Sequence, residues 1–471
     1  MSRDIQFAES LSQSYENYRE KSLNHRRFKH SDILALISRL NENKLFRVKK
    51  VGESVQGREI LLISIGTGSR NIFCWSQMHG DEATATGAIF DIINFFLSEH
   101  HFVDFKNYLL SNVTLHFLPM VNPDGAELFQ RRNAFEIDLN RDAAHPESPE
   151  SKILHSVFKE LNPEFGFNLH DQDREYAAGH SSHWAAISFL APPFDYNNTI
   201  NESRTLSMKL IGEMFGVLSH FIPGHIAKYS DEYEPRAFGD TFAEAGTSII
   251  LIESGTWRGD REKHFLRKLN FVVLINSFKS IAEGSFVREA LNTYKTLPKN
   301  ESQMMDFIIR NATVNLKGKE LAIDVGINYE EINIDENRNF YYKAKIEDIG
   351  DLSVYSGFQE LDATGMNLEL GKTYDEGINS LDEINNLNYA ELMESGFTNI
   401  KLNLPNVEEK FSNYLFNIIL QNKERAEELK EEAIPNFILK KEGTFKYAVI
   451  NGFLRDSKLT GRREGNALVF D

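Results

Sequence analysis

Cysteine is almost absent from this sequence of 471 residues, with Cys74 as the single example. A lone cysteine excludes an internal disulfide, which fits a reducing compartment, and its place in the apolar run 72–75 indicates a small core residue. Long apolar runs are missing as well, although a membrane-spanning helix needs about 20 such residues. The first 20 residues are polar and lack the apolar core of a secretory signal. We therefore expect a cytoplasmic protein without a membrane segment.

Positive charge is also scarce. The sequence has 52 Lys and Arg residues against 69 Asp and Glu residues, for a net charge of −17. This balance argues against a nucleic acid or an anionic membrane as partner, because both attract positive protein surfaces. The hydrophobic content of 41% is that of an ordinary globular protein, and the length suggests two or three domains.

The pattern of apolar residues predicts a short helical lead-in over 1–48 and an α/β domain over 49–290. Nearly continuous apolar runs alternate with amphipathic segments in this second region, as in strands that helices cover on both faces. The expected strands are 59–66, 71–77, 113–121, 165–170, 185–191 and 247–254, and the expected helices are 83–97, 150–161 and 203–221.

The region 300–471 has a different pattern. Its first part alternates like half-exposed strands separated by Gly and Asn turns. A charged amphipathic helix is expected over about 407–432, ending before Pro435. We interpret this region as a separate α+β domain, and nothing in its sequence indicates a catalytic role.

Polar residues interrupt the apolar pattern at a junction between an expected strand and an expected helix. His79 and Glu82 lie there, three residues apart, so that one turn can direct both side chains to the same point. Such a pair is more often a helix cap or an ion pair than a metal site. His170, at the carboxyl end of strand 165–170, adds a second imidazole at the edge where α/β sheets carry their sites. Two imidazoles and one carboxylate are a donor set for catalytic zinc, with a fourth position left for water.

Glu253 is a carboxylate in the very apolar strand 247–254. A partly desolvated Glu has a raised pKa and suits general-base work. A structural ion pair with an Arg is the plain alternative.

The segment between the proposed ligands gathers cations and an amide. It contains Arg131, Arg132, Asn140 and Arg141. A guanidinium can bind a carboxylate at two points, or it can stabilise an oxyanion. For any single Arg of this group, however, a surface ion pair is the commonest role.

Six ordered motifs resemble those of the M14 zinc carboxypeptidases, over residues 50 to about 285. They are GESVQGREI (52–60), HGDE (79–82), NPDG (122–125), RRNAFEIDLNRD (131–142), NLHD (168–171) and ILIESG (250–255). The resemblance implies an α/β fold with a mixed eight-stranded sheet flanked by helices. It also implies one zinc ion per chain, held by His79, Glu82 and His170, with Asp138 orienting the first imidazole.

The same resemblance implies roles in peptide hydrolysis. Glu253 matches the general base, and Arg131 matches the residue that polarises the scissile carbonyl, with Arg132 in that role if the alignment shifts by one. Asn140 and Arg141 match the pair that holds a terminal carboxylate of the substrate. The implied activity is that of a metallocarboxypeptidase acting on a peptide or small amide with a free carboxylate.

The sequence departs from the family pattern in the first motif and near the base. Asp81 stands where many digestive-type members have Arg, and the HGDE form is more similar to bacterial members that act on cell-wall peptides. A mobile tyrosine is expected before the base, where Tyr229 and Tyr233 lie and where one alignment places Phe242. Asp240 aligns loosely with an acid that helps select basic side chains in some members.

Two other functions compete with the peptidase. The first is a zinc-dependent deacylase of small acyl-amino acids, of the succinylglutamate desuccinylase or aspartoacylase type. The NPDG motif and the R-x-N spacing of Arg131 and Asn133 favour the peptidase. The second is an inactive carboxypeptidase-like binding protein, which the presence of all three ligands and the base argues against.

Overall fold

A computed structural model of the chain describes residues 3–407, 410–456 and 466–470. The chain divides into two compact units, Met1–Ser302 and Gln303–Asp471.

Eight strands of the first unit form one mixed sheet, so the predicted fold class is confirmed. Their order across the sheet is β1-β2-β4-β3-β5-β9-β7-β8, and β4, β3, β5 and β9 run parallel in its centre. A separate pair is formed by β6 and β10. The strands are β1 Phe46–Glu53, β2 Glu59–Gly66, β3 Arg70–Ser76, β4 Val113–Leu118, β5 Phe165–Asp171, β6 Tyr176–Ala178, β7 Ile187–Leu190, β8 Ile226–Lys228, β9 Ser248–Ser254 and β10 Asn300–Ser302.

Ten α-helices and three short 3-10 helices accompany this sheet in the described part of the first unit. The helices are α1 Arg3–Ser14, α2 His30–Ser38, α3 Thr84–Leu97, α4 Val103–Asn112, α5 Pro123–Leu128, α6 Pro149–Leu161, α7 Glu202–Leu218, α8 Phe238–Glu244, α9 His264–Glu283 and α10 Leu291–Lys295. The 3-10 helices are Tyr15–Asn17, Leu139–Arg141 and Ser285–Arg288. Helix α6 begins as its sequence predicts, because the Ser148 side chain accepts a hydrogen bond from the Ser151 backbone N–H and Pro149 follows it. Among the residues described, no helix is long and apolar enough to cross a membrane.

Strands β5 and β9 present different side chains to the two faces of the sheet, because successive residues of a strand alternate. Phe167 and Ile252 are buried in the core that includes α3, α7 and α9. His170 and Glu253 belong to the alternate set and point to the other face, where α6 and α8 pack. This alternation brings both proposed site residues to one side of the sheet.

The second unit consists mainly of strands. One sheet has the order β13-β12-β11-β15-β20-β21-β22, with β14 beside β11, and the other has the order β16-β17-β19-β23-β18. The strands are β11 Met304–Leu316, β12 Lys319–Ile334, β13 Asn339–Gly350, β14 Ser356–Asp362, β15 Met366–Leu370, β16 Lys372–Ile378, β17 Phe397–Leu402, β18 Phe411–Ser412, β19 Asn417–Leu420, β20 Phe437–Lys441, β21 Thr444–Ile450, β22 Phe453–Asp456 and β23 Ala467–Phe470. Two short helices, α11 Leu381–Ile384 and α12 Tyr389–Glu394, complete the described elements.

The helix predicted over 407–432 is wrong wherever the structure describes this segment, which excludes 408–409. Strands β18 and β19 lie in it, and the charged residues that follow are irregular. Tertiary contacts override the helix-forming composition here. The carboxylate of Glu427, 3% exposed, accepts hydrogen bonds from the side chains of Asn399, Arg425 and Asn436. These bonds hold the segment against the strands.

Glu213 on α7 is a carboxyl group whose titration should affect stability. It accepts a hydrogen bond from Ser280 Oγ at 2.7 Å, but burial raises its pKa to about 7 from its ordinary value of 4.5. Neutral Glu213 therefore stabilises the fold fully below about pH 4.5, and this contribution is lost as the pH rises through about 7. We expect Glu213→Gln to unfold about 2–4 °C above wild type at pH 8 and at the same temperature as wild type at pH 4. Thermal unfolding at the two pH values tests this, and an equal difference at both would contradict it.

Candidate active site

His79, Glu82 and His170 meet at the carboxyl edge of the central sheet. The turn after β3 carries His79 and Glu82, and the Glu82 N–H donates to the carbonyl of His79 at 3.1 Å. His170 is the sixth residue of β5. All three side chains are buried, and one donor atom from each lies within 4.8 Å of the others.

The carboxylate of Glu82 stands between the two imidazoles. His79 Nδ1 is 2.6 Å from Glu82 Oε1, and His170 Nδ1 is 2.7 Å from Glu82 Oε2. Two imidazole nitrogens and a carboxylate that converge in this way are a donor set typical of zinc. The chemistry of the residues present therefore fits a zinc ion.

The ionisable side chains of this cluster shift one another's pKa values. Burial opposes ionisation of Glu82, yet the two imidazoles beside it hold its pKa below the usual range. Burial likewise disfavours the charged imidazole of His79, but Glu82 and Asp138 raise its pKa to about 9. The carboxylate form of Glu82, which a metal needs, is thus the stable one.

Asp138 organises the side of the cluster that lies next to His79. Its Oδ1 is 3.0 Å from His79 Nε2, which fixes the orientation of the ring and leaves Nδ1 directed at Glu82. Its other oxygen accepts from Arg131 Nε at 3.0 Å. His170 Nε2, by contrast, has no hydrogen-bond partner among the residues that the structure describes.

Glu253 is the residue of β9 that pairs with His170 across the parallel ladder. Burial and the nearby charge of Glu82 raise its pKa well above the usual value. Within the described ranges it forms no ion pair, so the alternative of a structural ion pair with an Arg is not what the structure shows there. A buried carboxyl group with a raised pKa, next to a metal-binding cluster, is suited to accept a proton.

Of the two adjacent arginines, Arg131 is the one that reaches the cluster. Its Nη1 is 3.1 Å from His79 Nδ1 and 3.4 Å from Glu82 Oε1. Arg132 instead donates to the backbone carbonyl of Glu136 at 2.8 Å. Arg131 therefore occupies the position from which a guanidinium could face an oxyanion.

Asn140 and Arg141 lie together in the 3-10 helix Leu139–Arg141. Asn140 Oδ1 accepts from the Phe238 N–H at 3.0 Å, so its amide nitrogen is the group that can donate to a ligand. Arg141 is 41% exposed, and its Nε lies 3.5 Å from Glu234 Oε2. Sequence reasoning did not include Glu234, whose contact with Arg141 arises only from the fold.

Glu234 and Asp240 give this part of the site an acidic character. Glu234 is fixed by Arg236, whose Nε and Nη2 donate to its two oxygens at 2.9 and 2.7 Å. Asp240, only 7% exposed, accepts from the Glu234 N–H at 3.1 Å, and burial raises its pKa to about 7. The guanidinium of Arg141 thus has two carboxyl groups nearby before any ligand binds.

The structure also distinguishes the three aromatic residues that the sequence left open. Phe242 is in the core, stacked on Phe158 with ring centroids 3.6 Å apart. Tyr233 lies beside the exposed Tyr196. For Tyr229, burial and the charge of Glu253 raise the pKa of the hydroxyl, and its ring centroid lies 6.2 Å from that of Tyr176.

Comparison with known proteins gives one family match. The family model described as zinc carboxypeptidase, Peptidase M14, matches residues 33–185. Over this region the chain is similar to M14 zinc carboxypeptidases. This match covers five of the six motifs and confirms the resemblance there. It supports a metallocarboxypeptidase type of function, with zinc as the metal that the family implies.

Individual relatives are similar over short segments. Carboxypeptidase SOL1 of Arabidopsis thaliana is 30% identical over 106 residues, which are 21% of this chain and 22% of that protein. Carboxypeptidase D of Drosophila melanogaster is 28% identical over 145 residues, 27% of this chain and 10% of that protein. The chain thus spans less than a quarter of the length of either relative.

Two solved metallo-carboxypeptidase structures match part of the chain. A metallo-carboxypeptidase from Burkholderia cenocepacia has 16% identity and a TM-score of 0.45, covering 55% of this chain and 70% of that one. A metallo-carboxypeptidase from Pseudomonas aeruginosa, in complex with (2-guanidinoethylmercapto)succinic acid, has 17% identity and a TM-score of 0.44, covering 54% and 70%.

Proposed function

We propose that this protein is a zinc-dependent metallocarboxypeptidase that hydrolyses the C-terminal peptide bond of a peptide or peptide-like substrate. The observation that carries the proposal is the convergence of His79, Glu82 and His170 beside Glu253, a buried carboxyl group without an ion pair in the described part of the chain. The family match supports the same reaction type.

Zinc, when bound by His79, Glu82 and His170, would supply Lewis acidity, which lowers the pKa of water to about 7 and polarises a carbonyl group. His170 belongs to the end of β5 and the other two residues to the turn after β3, and Asp138 beside Nε2 of His79 leaves Nδ1 as the nitrogen that would bind the metal.

Glu253 would move the proton in this reaction. Its raised pKa makes its carboxylate a stronger base than an exposed Glu, so it can take a proton from the attacking water. The same oxygen then gives the proton to the leaving amine. Arg131, directed at the cluster, would stabilise the negative charge that develops on the carbonyl oxygen.

Asn140 and Arg141 would hold the terminal carboxylate of the substrate and so make the enzyme an exopeptidase. Arg141 is half-exposed and already lies near Glu234, so the contact with substrate is worth less than that of a fully buried ion pair. A hydrogen bond to a charged group typically contributes about 1.5–3 kcal/mol. We therefore expect kcat/KM for a free-acid peptide to exceed that for the matched amide by about 10- to 100-fold.

Measuring kcat/KM for the free acid and the amide, in wild type and in variants, tests the clamp. Arg141→Ala should lower the free-acid value by about 10- to 100-fold and narrow its advantage over the amide. Arg132→Ala is the matched control and should change neither value. Among the described residues, the Arg132 side chain bonds only to the Glu136 carbonyl. Equal rates on the two substrates in wild type would mean an endopeptidase or amidase mode. Turnover of acyl-amino acids but not of peptides would favour the deacylase.

A further inference from the structure

Lys263 joins the ends of the two strands that carry His170 and Glu253. It immediately precedes α9, and its ammonium group is nearly buried, with 12% of the side chain exposed. The Nζ atom donates to Asp171 Oδ2 at 3.2 Å and to the backbone carbonyl of Ser254 at 3.0 Å. One side chain therefore bridges the last residue of β5 and the last residue of β9.

The two bridged residues are the direct neighbours of the site residues. Asp171 follows His170 and Ser254 follows Glu253, and they pair with each other in the same ladder. Because strand residues alternate between faces, His170 and Glu253 point to the face that carries the cluster, whereas Asp171 and Ser254 turn to the opposite face, where α9 begins. Lys263 acts behind the site and does not enter it.

Asp171 extends the connection to a third segment. Its Oδ2 accepts from Thr84 Oγ1 at 2.6 Å, and its backbone N–H donates to Glu82 Oε2 at 3.2 Å. Thr84 is the first residue of α3, two positions after Glu82. Lys263, Asp171 and Thr84 thus connect the three segments that carry Glu82, His170 and Glu253.

The local backbone indicates that the Lys263 side chain does not serve to start α9. The first N–H groups of the helix are capped by Asp260, whose oxygens accept from His264 and Phe265 at 2.8 Å each. Lys263 itself has a left-handed backbone with φ 54°, a conformation that glycine adopts at lower cost. A strained lysine in place of glycine is consistent with a role for its ammonium group.

We propose that Lys263 is a positioning residue. Its bonds to Asp171 and Ser254 fix the spacing between His170 and Glu253. The bonds of Asp171 to Thr84 and Glu82 extend this effect to the placement of Glu82. This inference rests on the proposed function. Loss of the ammonium leaves the buried Asp171 carboxylate without its cation and lets the two strand ends separate.

The test compares Lys263→Met and Lys263→Gly with a matched control variant at Lys279, near the other end of α9. Lys279 is a similar, mostly buried lysine with two carboxylate partners, Asp4 and Glu283, far from the site in the fold. Both Lys263 variants should lower kcat by about 10- to 100-fold, the usual effect of losing a residue that supports a metal ligand, and should weaken zinc binding by a similar factor. KM should stay within about twofold, because Lys263 does not touch the substrate. Lys263→Arg, which keeps a cationic donor, should recover part of kcat.

A readout on metal-free protein separates positioning from activity. In Lys263→Met, hydrogen exchange should accelerate at the Asp171 amide and at the Gln172 amide, which donates to the Ser254 carbonyl, compared with wild type and Lys279→Met. Lys279→Met should change the unfolding temperature but neither kcat nor zinc affinity.

The outcomes distinguish this inference from the proposed function. Wild type without zinc binding and without hydrolysis would overturn the function itself. A second outcome would overturn only the role of Lys263. In it, wild type binds zinc and hydrolyses the substrate, and Lys263→Met has the same kcat, zinc affinity and hydrogen exchange as Lys279→Met. Lys263→Gly matters here because it removes the ammonium without straining the backbone, so a fall in kcat in a well-folded Lys263→Gly variant supports positioning.

Discussion

Replacing Glu253 with Gln is expected to leave zinc content and fold unchanged and to lower kcat by about 10²–10⁴-fold, the range typical for loss of a general base. The amide has the size of the protonated acid, and Glu253 has a raised pKa in its buried position, so the substitution places no new charge in the site. Zinc should stay because the three donor atoms that converge belong to other residues. Steady-state kinetics with metal analysis of the same preparation measures both effects.

Glu213→Gln is the matched control for this experiment. Glu213 is another mostly buried carboxyl group whose pKa burial raises to about 7, but it bonds to Ser280 and lies between α7 and α9. Its replacement should leave kcat unchanged. If Glu253→Gln kept more than a few per cent of the wild-type rate, the base would have to be sought elsewhere.

The central sheet could be predicted because its strands are buried on both faces. The strand predicted over 59–66 has these same bounds in the structure, and those predicted over 165–170 and 247–254 differ by one residue. Apolar runs of this kind leave little choice of secondary structure. The helix predicted over the charged segment 407–432 was wrong for the opposite reason. The composition of the segment favours a helix, but Glu427 instead accepts hydrogen bonds from Asn399 and Asn436, which lie outside the segment.

The site was predictable to a similar extent. Short-range spacing identifies His79 and Glu82, and the ordered motifs add His170, which the structure brings to the same point. The contacts of Arg141 with Glu234 and of Lys263 with Asp171 follow no local pattern, because each joins residues on different elements. Single charged residues of this kind are usually surface ion pairs, so only the fold shows their place near the site.

The electrostatics of the site favours the binding of a divalent cation. Asp81, Glu82, Asp138 and Glu253 contribute carboxyl groups to this region, with the Arg131 guanidinium among them. Burial raises the pKa of Asp81 to about 6 and also raises that of Glu253. A divalent ion would offset this excess of carboxyl groups, since opposite charges in a buried site interact strongly. This excess of carboxyl groups supports the proposed zinc site.

His170→Ala should abolish both zinc retention and activity. The substitution removes one of three donor atoms and leaves Glu82 facing a single imidazole. Loss of a residue that merely supports a ligand costs about 10- to 100-fold in metal affinity, so loss of a ligand should cost at least about 100-fold. We expect about one zinc per chain in dialysed wild type and less than a tenth of that in the variant, measured by elemental analysis.

Chelation should lower the unfolding temperature of wild type, because zinc stabilises the state that binds it, but not that of the variant. His116→Ala is the control, since His116 is a buried strand histidine that bonds to Ser64 and Asn71 away from the cluster; it should keep its zinc. Full metal occupancy in His170→Ala would remove His170 from the site.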